Sequence, residues 1–271
     1  MRRGPSRSGF LAGLGFLFLY APVAVVILYA FNDSRLVAVW TRPSLRWFAR
    51  VFEDDVILDA AILSLQIATL AATCATILGA MAALAVQPRT GTPLARALLP
   101  AMVGGLVIPD VVFGFTYLLL FVLLGTATTI VIERGAATIL IAHITLALPY
   151  SFIIVRSRLT AREDRIREAA ADLGAPPLAT LRRVTIPLLL PALLAGWLAA
   201  FVVSFDDVVV ASFVAGPGSS TLPMVIFSSV RLGVSPVANA LAALLFAVVA
   251  LLFGLALLAT LARRGPTLIA R

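Results

Sequence analysis

Apolar residues in this chain fall in long blocks, not in alternation. Six blocks stand near 9–31, 59–86, 97–124, 136–156, 187–214 and 237–262, separated by segments rich in arginine, proline and acidic residues. A helix that crosses a bilayer needs about 20 mostly apolar residues. Backbone groups in lipid must be satisfied within the segment, so such blocks are helices. The alternation of a membrane β-barrel is absent, as are fixed-period repeats and low-complexity tracts. The pattern predicts an all-α, polytopic membrane protein with six transmembrane helices, forming one transmembrane domain over 1–271. The first block follows Arg2, Arg3 and Arg7 and resembles a signal peptide, but it exceeds the usual apolar core of about 7–15 residues. Arg2 and Arg3 also precede Gly4 and Pro5, a poor twin-arginine context. We read it as a retained first helix.

Composition sharpens this picture. Hydrophobic residues make up 61% of the 271, and the mean hydropathy is +1.07, well beyond a soluble domain. The net charge of +8 does not point to nucleic acid, because the arginines sit between apolar blocks and form no basic face interleaved with aromatics. Their placement carries topology. Fifteen arginines flank one side of the predicted spans: Arg2, Arg3, Arg7, Arg89, Arg96, the group from Arg156 to Arg183, and Arg263, Arg264 and Arg271. Six flank the other: Arg35, Arg42, Arg46, Arg50, Arg134 and Arg231. Both termini are therefore expected in the cytoplasm. The single cysteine, Cys74, forbids an intrachain disulfide and reads as a small buried residue; no Cys/His spacing suits a metal.

Two connecting segments are long. Residues 32–58 lie on the outer side, where Trp40, Trp47 and Phe48 suit an interfacial belt. The run Glu53, Asp54, Asp55 reads as a solvated loop or a helix N-terminus, with attraction of a cation as the alternative. Residues 157–186 lie inside. Leu159, Ile166, Ala169, Ala170 and Leu173 share a helical face, Gly174 has the position of a terminating glycine, and Pro176 and Pro177 start a second short helix. Pro187 marks the beginning of the next span.

Within that inner segment, "EAAADLGAPPLATLRRVTIP" resembles the EAA loop of ATP-binding-cassette importer permeases. Glu168, Ala169, Ala170, Gly174, Val184, Ile186 and Pro187 fill its pattern without a gap. A surface helix-turn-helix is the plainer reading. The resemblance implies a MetI-like type I importer permease fold and makes 157–186 a cytoplasmic loop that couples to a separate ATPase. Small Ala169 and Ala170 permit close approach, Gly174 a sharp turn, and Glu168, Arg182 and Arg183 supply charges. Closure of the ATPase dimer then moves the loop as a rigid body. The chain carries no GxxxxGK[ST] loop, so it is expected to hydrolyse no ATP and to hold no cofactor, metal or catalytic residue. ATP and Mg²⁺ belong to the partner ATPase.

Carboxylates within apolar blocks are expensive, about 2.5–3.5 kcal/mol at a helix centre by insertion scales, and they tend to face water-filled paths. Asp110 follows Pro109 and precedes Gly114, where the predicted third span kinks or breaks. Asp206 and Asp207 lie near the far end of the fifth. Adjacent helix positions diverge by about 100°, so one of the pair faces a path while the other caps a helix or meets an arginine; otherwise both are structural carboxylates at a helix end. His143, the only histidine, reads as a proton relay or as a hydrogen bond to a neighbouring helix. Tyr150 and Trp197 offer rings to a cation or simply pack.

The stretch "SFDDVVVASFVAGPGSSTLPMVIFSSVRLGVSPVANALAALL", with "LYAFNDSRL" and "IPDVVFGFTYLLLF", resembles the polyamine importer permeases, above all the second permease subunit of putrescine systems. That resemblance implies a bacterial inner-membrane protein that pairs with a homologous permease subunit, an ATPase dimer and a periplasmic substrate-binding protein. A polycation substrate suits acidic groups along the path, and Asp110 with Asp206 or Asp207 is the candidate route. The same importer class carries ferric iron, phosphonates and amino-acid-derived cations. An ion-gradient-driven carrier and a membrane-embedded enzyme are the rival classes. The first would show internal repeats, and the second would need clustered histidines with carboxylates or a Ser/His arrangement.

Overall fold

The computed structural model describes residues 7–36, 39–86, 92–128, 132–159, 161–233 and 235–263. Arg2, Arg3, Arg89, Arg264 and Arg271, part of the topology argument, lie outside them. In chain order the helices are α1 (Arg7–Ala30), α2 (Arg46–Glu53), α3 (Asp55–Ala85), α4 (Pro93–Gly105), α5 (Asp110–Thr128), α6 (Ala136–Arg158), α7 (Ala161–Asp172), α8 (Pro177–Thr180), α9 (Ile186–Phe205), α10 (Val209–Val214), α11 (Leu222–Leu232) and α12 (Pro236–Arg263). The protein is all-α, as its blocks predict. Five stretches are long and apolar enough to cross a membrane: Leu11–Ala30, Asp55–Ala85, Asp110–Thr128, Ala136–Arg158 and Pro177–Phe205. The sixth predicted block corresponds to α12, whose Pro236–Leu251 part is apolar.

Two predicted spans are not continuous. The block at 97–124 divides into α4 and α5, so only α5 has the length of a crossing. The block at 187–214 divides into α9 and α10. Both interruptions carry the chemistry described below.

The chain forms two compact units, 1–58 with 226–271, and 59–225. In the first, α12 packs on α1 and α2. Its loop is organised by Asn32, which is 2% exposed. The Asn32 side chain donates to the Val39 carbonyl at 2.7 Å and accepts from the Thr41 amide at 3.0 Å. The Trp47 indole donates to the Asn32 carbonyl at 2.8 Å. Trp47 is thus a buried structural residue, which corrects its expected place in an interfacial belt. A ring that finds an apolar pocket and a carbonyl for its N–H gains more inside than at an interface. Asp54 resolves the acidic run: its Oδ1 accepts from the Val56 amide at 3.0 Å and the Ile57 amide at 3.3 Å, capping α3. Arg42 reaches Asp33 at 2.8 Å, and this bond holds the Asp33 carboxyl below the ordinary carboxylate range.

In the second unit α6 is central, packed along α9 and against α4, α5 and α10. Small residues let the helices approach closely, as expected where lipid supplies no hydrophobic drive between them. Ala72, Ala75, Ala147 and Ala200 are fully buried together. A Cβ on Gly79 would stand 2.9 Å from the Phe152 backbone nitrogen. A second cluster joins Ile67, Phe121, Ile139, Ala142, Leu146, Val210, Ala211 and Val214, and its rim forms the site.

Candidate functional site

The first interruption is written in glycine and proline. The Gly104 carbonyl accepts from the amides of Val107 and Ile108 at 3.0 and 3.1 Å, so α4 ends in a tightened turn. Pro109 has no N–H to continue the ladder, and its carbonyl starts the next helix by accepting from Val112 at 2.9 Å and Phe113 at 3.1 Å. Asp110 therefore stands in the first turn of α5, where a carboxylate meets the positive end of the helix dipole.

The second interruption is made by the aspartates. Asp206 closes α9, its amide bonding to the Val202 carbonyl at 3.1 Å, with φ −93° and ψ −3°. Asp207 turns the other way. Its carboxylate accepts from the amides of Val210 at 3.2 Å and Ala211 at 2.8 Å, satisfying the first free donors of α10. A short acidic side chain offers the backbone an alternative to the helix ladder, and the β-branched Val208, Val209 and Val210 weaken helix propensity just there.

The two interruptions meet. Asp110, Leu146, Tyr150, Val203, Asp206, Asp207, Val208 and Val209 line one cavity of about 330 Å³. Asp110 and Asp206 are exposed, whereas Asp207 is 8% exposed. Neither Asp110 nor Asp206 has an ion-pair partner among the described residues. The adjacent aspartates thus have separate surroundings, one open to the cavity and one taken up by backbone amides and an imidazole. Tyr150, on α6, borders the same cavity. Trp197 does not: its Nε1 donates to Thr73 Oγ1 at 3.0 Å, and its ring stacks on Phe201 at 5.3 Å.

His143 lies behind this wall, 1% exposed. Its Nδ1 is 2.8 Å from Ser204 Oγ, and its Nε2 is 3.2 Å from Asp207 Oδ2. The second approach has the length of an ion pair but is off the line of a well-directed hydrogen bond. A Ser/His/Asp arrangement therefore exists where the sequence suggested none. Ser204, at 4% exposure, is as enclosed as the histidine, so no substrate carbonyl reaches its hydroxyl. Sequence reasoning missed Ser204, although it lies three positions before Asp207, on the same helical face.

The predicted coupling loop folds locally. α7 ends in a double bond pattern: the Ala175 amide reaches the Ala170 carbonyl at 3.0 Å, and the Gly174 amide the Ala171 carbonyl at 2.9 Å. This is the Schellman arrangement, and it needs the left-handed φ of +79° at Gly174. Glu168 and Ala169 are exposed and Ala170 is half-buried. Leu173 is 89% exposed. Arg182 and Arg183 are exposed on a π-turn, Leu181–Thr185. Pro187 stands in the first turn of α9, where the next span was expected to begin, but it does not start the helical run. Helical structure runs unbroken over Pro177–Phe205. The wide turn, with the Ile186 amide on the Leu181 carbonyl, accommodates a proline that would otherwise clash with the preceding turn.

Residues 75–265 match the sequence profile of the inner membrane component of binding-protein-dependent transport systems. The chain belongs to this family. It is similar to the putrescine transport system permease protein PotI of Escherichia coli (strain K12), with 46% identity over 236 residues, 87% of this chain and 84% of that one. It is also similar to the spermidine/putrescine transport system permease protein PotC of the same organism, with 39% identity over 88% of each chain. Among solved structures, a bacterial ABC transporter involved in the import of the acidic polysaccharide alginate superposes with a TM-score of 0.67 at 16% identity, covering 94% of this chain and 98% of that one. An amino acid ABC transporter gives 0.56 at 20% identity, covering 80% and 98%. The fold is that of importer permeases of this family, as the loop motif implied.

Proposed function

We propose that this chain forms the polyamine path of an ATP-driven importer, carrying putrescine or spermidine from the periplasm into the cytoplasm. The carrying observation is that Asp110 and Asp206 open onto one cavity of about 330 Å³ without an ion-pair partner among the described residues. Two carboxylates there replace the hydration that a diamine loses on entering a low-dielectric path, and Tyr150 adds a ring face for an ammonium group. The printed substrates of the similar permeases, putrescine and spermidine, support the same class. Solutes such as ferric iron or phosphonate lack this support, and phosphonate is repelled by the carboxylates.

In this reading the subunit sits in the bacterial inner membrane with both termini cytoplasmic. It pairs with a homologous six-span subunit and receives substrate from a periplasmic binding protein. Glu168, Ala169, Ala170 and Gly174, with Arg182, Arg183 and Pro187 behind them, dock on an ATPase dimer that binds ATP and Mg²⁺. The exposed end of α7, held rigid by its own backbone bonds, is the surface such docking requires. The chain itself performs no chemistry.

The test is putrescine uptake by the assembled transporter with Asp110→Asn and Asp206→Asn, at matched subunit levels. Each is expected to lower uptake at least about tenfold, the scale of one lost charge contact. Uptake unchanged in both variants overturns the path.

A further inference from the structure

We propose that His143 is a positioning residue, holding Asp207 inward so that the carboxylate of Asp206 is presented to the cavity. The inference builds on the proposed path but stands on separate geometry. The fifth span is interrupted at 206–208, and an interruption with no side-chain support has several ways to turn. Here both sides of it are pinned to one ring on α6. Ser204, in the last turn of α9, meets Nδ1 at 2.8 Å, and Asp207, which caps α10, lies 3.2 Å from Nε2.

Of the two neutral tautomers, the one protonated at Nε2 complements the neighbouring carboxylate and leaves Nδ1 to accept the Ser204 hydroxyl. The Val210 and Ala211 amides occupy the remaining faces of the Asp207 carboxylate. Neighbouring residues at such a turn point apart, so fixing Asp207 toward His143 fixes Asp206 away from it, into the cavity. Without the imidazole, Asp207 keeps only the two amide contacts in a nearly closed pocket. A charge so placed turns toward the water of the cavity and carries the 206–208 backbone with it.

The experiment uses the complete transporter in lipid, with Cys74→Ser and Asp206→Cys. The rate at which a cationic, membrane-impermeant methanethiosulfonate labels position 206 is measured with His143, His143→Leu and His143→Gln, alongside the Tm of each complex. His143→Leu is expected to slow labelling about tenfold, the scale of losing one contact to a buried charge. His143→Gln offers both a donor and an acceptor and is expected to recover most of the rate. Adding Asp207→Asn to His143→Leu is expected to recover it as well, because the unpaired charge is gone. A histidine that only packs would lower Tm and leave labelling of the folded complex within about twofold of the parent; that result overturns the proposal. If His143→Leu fails to assemble, the His143→Leu/Asp207→Asn pair decides: assembly supports the coupling, and failure overturns it. Uptake by Asp206→Asn reports on the path alone. Normal uptake with His143-dependent labelling would sink the path and leave the positioning intact.

Discussion

Two places where a helix stops, the end of α7 and the end of α9, solve the same problem by opposite means. At α7 the chain uses its own backbone: Gly174 turns left-handed, and the amides of Gly174 and Ala175 reach back to α7 carbonyls. The neighbouring side chains are free to face outward. At α9 the chain uses another helix: Asp207 caps α10 while resting against His143 of α6, 64 positions earlier in the sequence. The first stop is self-sufficient and can move as a body. The second is bound to its surroundings, so its geometry is as fixed as that of α6.

The contrast is sharpest in stability. Asp207→Leu removes the cap of α10 and strands His143, and is expected to destabilise the complex by about 3 kcal/mol, read as a large fall in Tm with loss of uptake. Gly174→Val forces a branched residue into a left-handed conformation, at about 1–2 kcal/mol. The effect stays within the loop: ATP hydrolysis by the assembled complex persists while uptake is lost. Equal losses of global stability in the two variants would erase the distinction. Leu173→Glu, on a residue 89% exposed, is expected to shift stability by less than about 0.5 kcal/mol yet to weaken ATPase docking, measured by co-purification.

The smallest effect is expected in the other compact unit. The Asp33 carboxyl is held below its ordinary range by Arg42. Its folded pKa is depressed, so its contribution is present above the unfolded value of about 4 and fades as pH falls through the folded one. Acidification is expected to increase hydrogen exchange in the loop around Asn32 while leaving the α7 end, held by backbone bonds alone, unchanged.

The same contrast explains what could be read in advance. Gly174 was legible because a Schellman turn is a local event, spelled within a few residues. That the chain is helical, and where its long apolar segments lie, was legible because apolar block length is a property of a segment. Where the third and fifth blocks break was only half legible. Pro109 announced its interruption, but nothing local gives the break at Asp206 the partner that orders it. Ser204 and Trp47 were misread or missed for that reason: each finds its hydrogen-bond partner in a segment that folding alone brings near. Pro187 was half legible as well: it stands in the first turn of α9, but one wide turn joins that helix to the short one before it.

That wide turn has a mechanical consequence. Because it keeps Pro177–Phe205 helical throughout, Pro177, three residues beyond Gly174, and Phe205, next to Asp206, are the two tips of a single strut. At 1.5 Å per residue its 29 residues span about 43 Å. A tilt of about 5° pivoted at the Asp206 tip, which His143 holds, swings the Pro177 tip through an arc of about 4 Å.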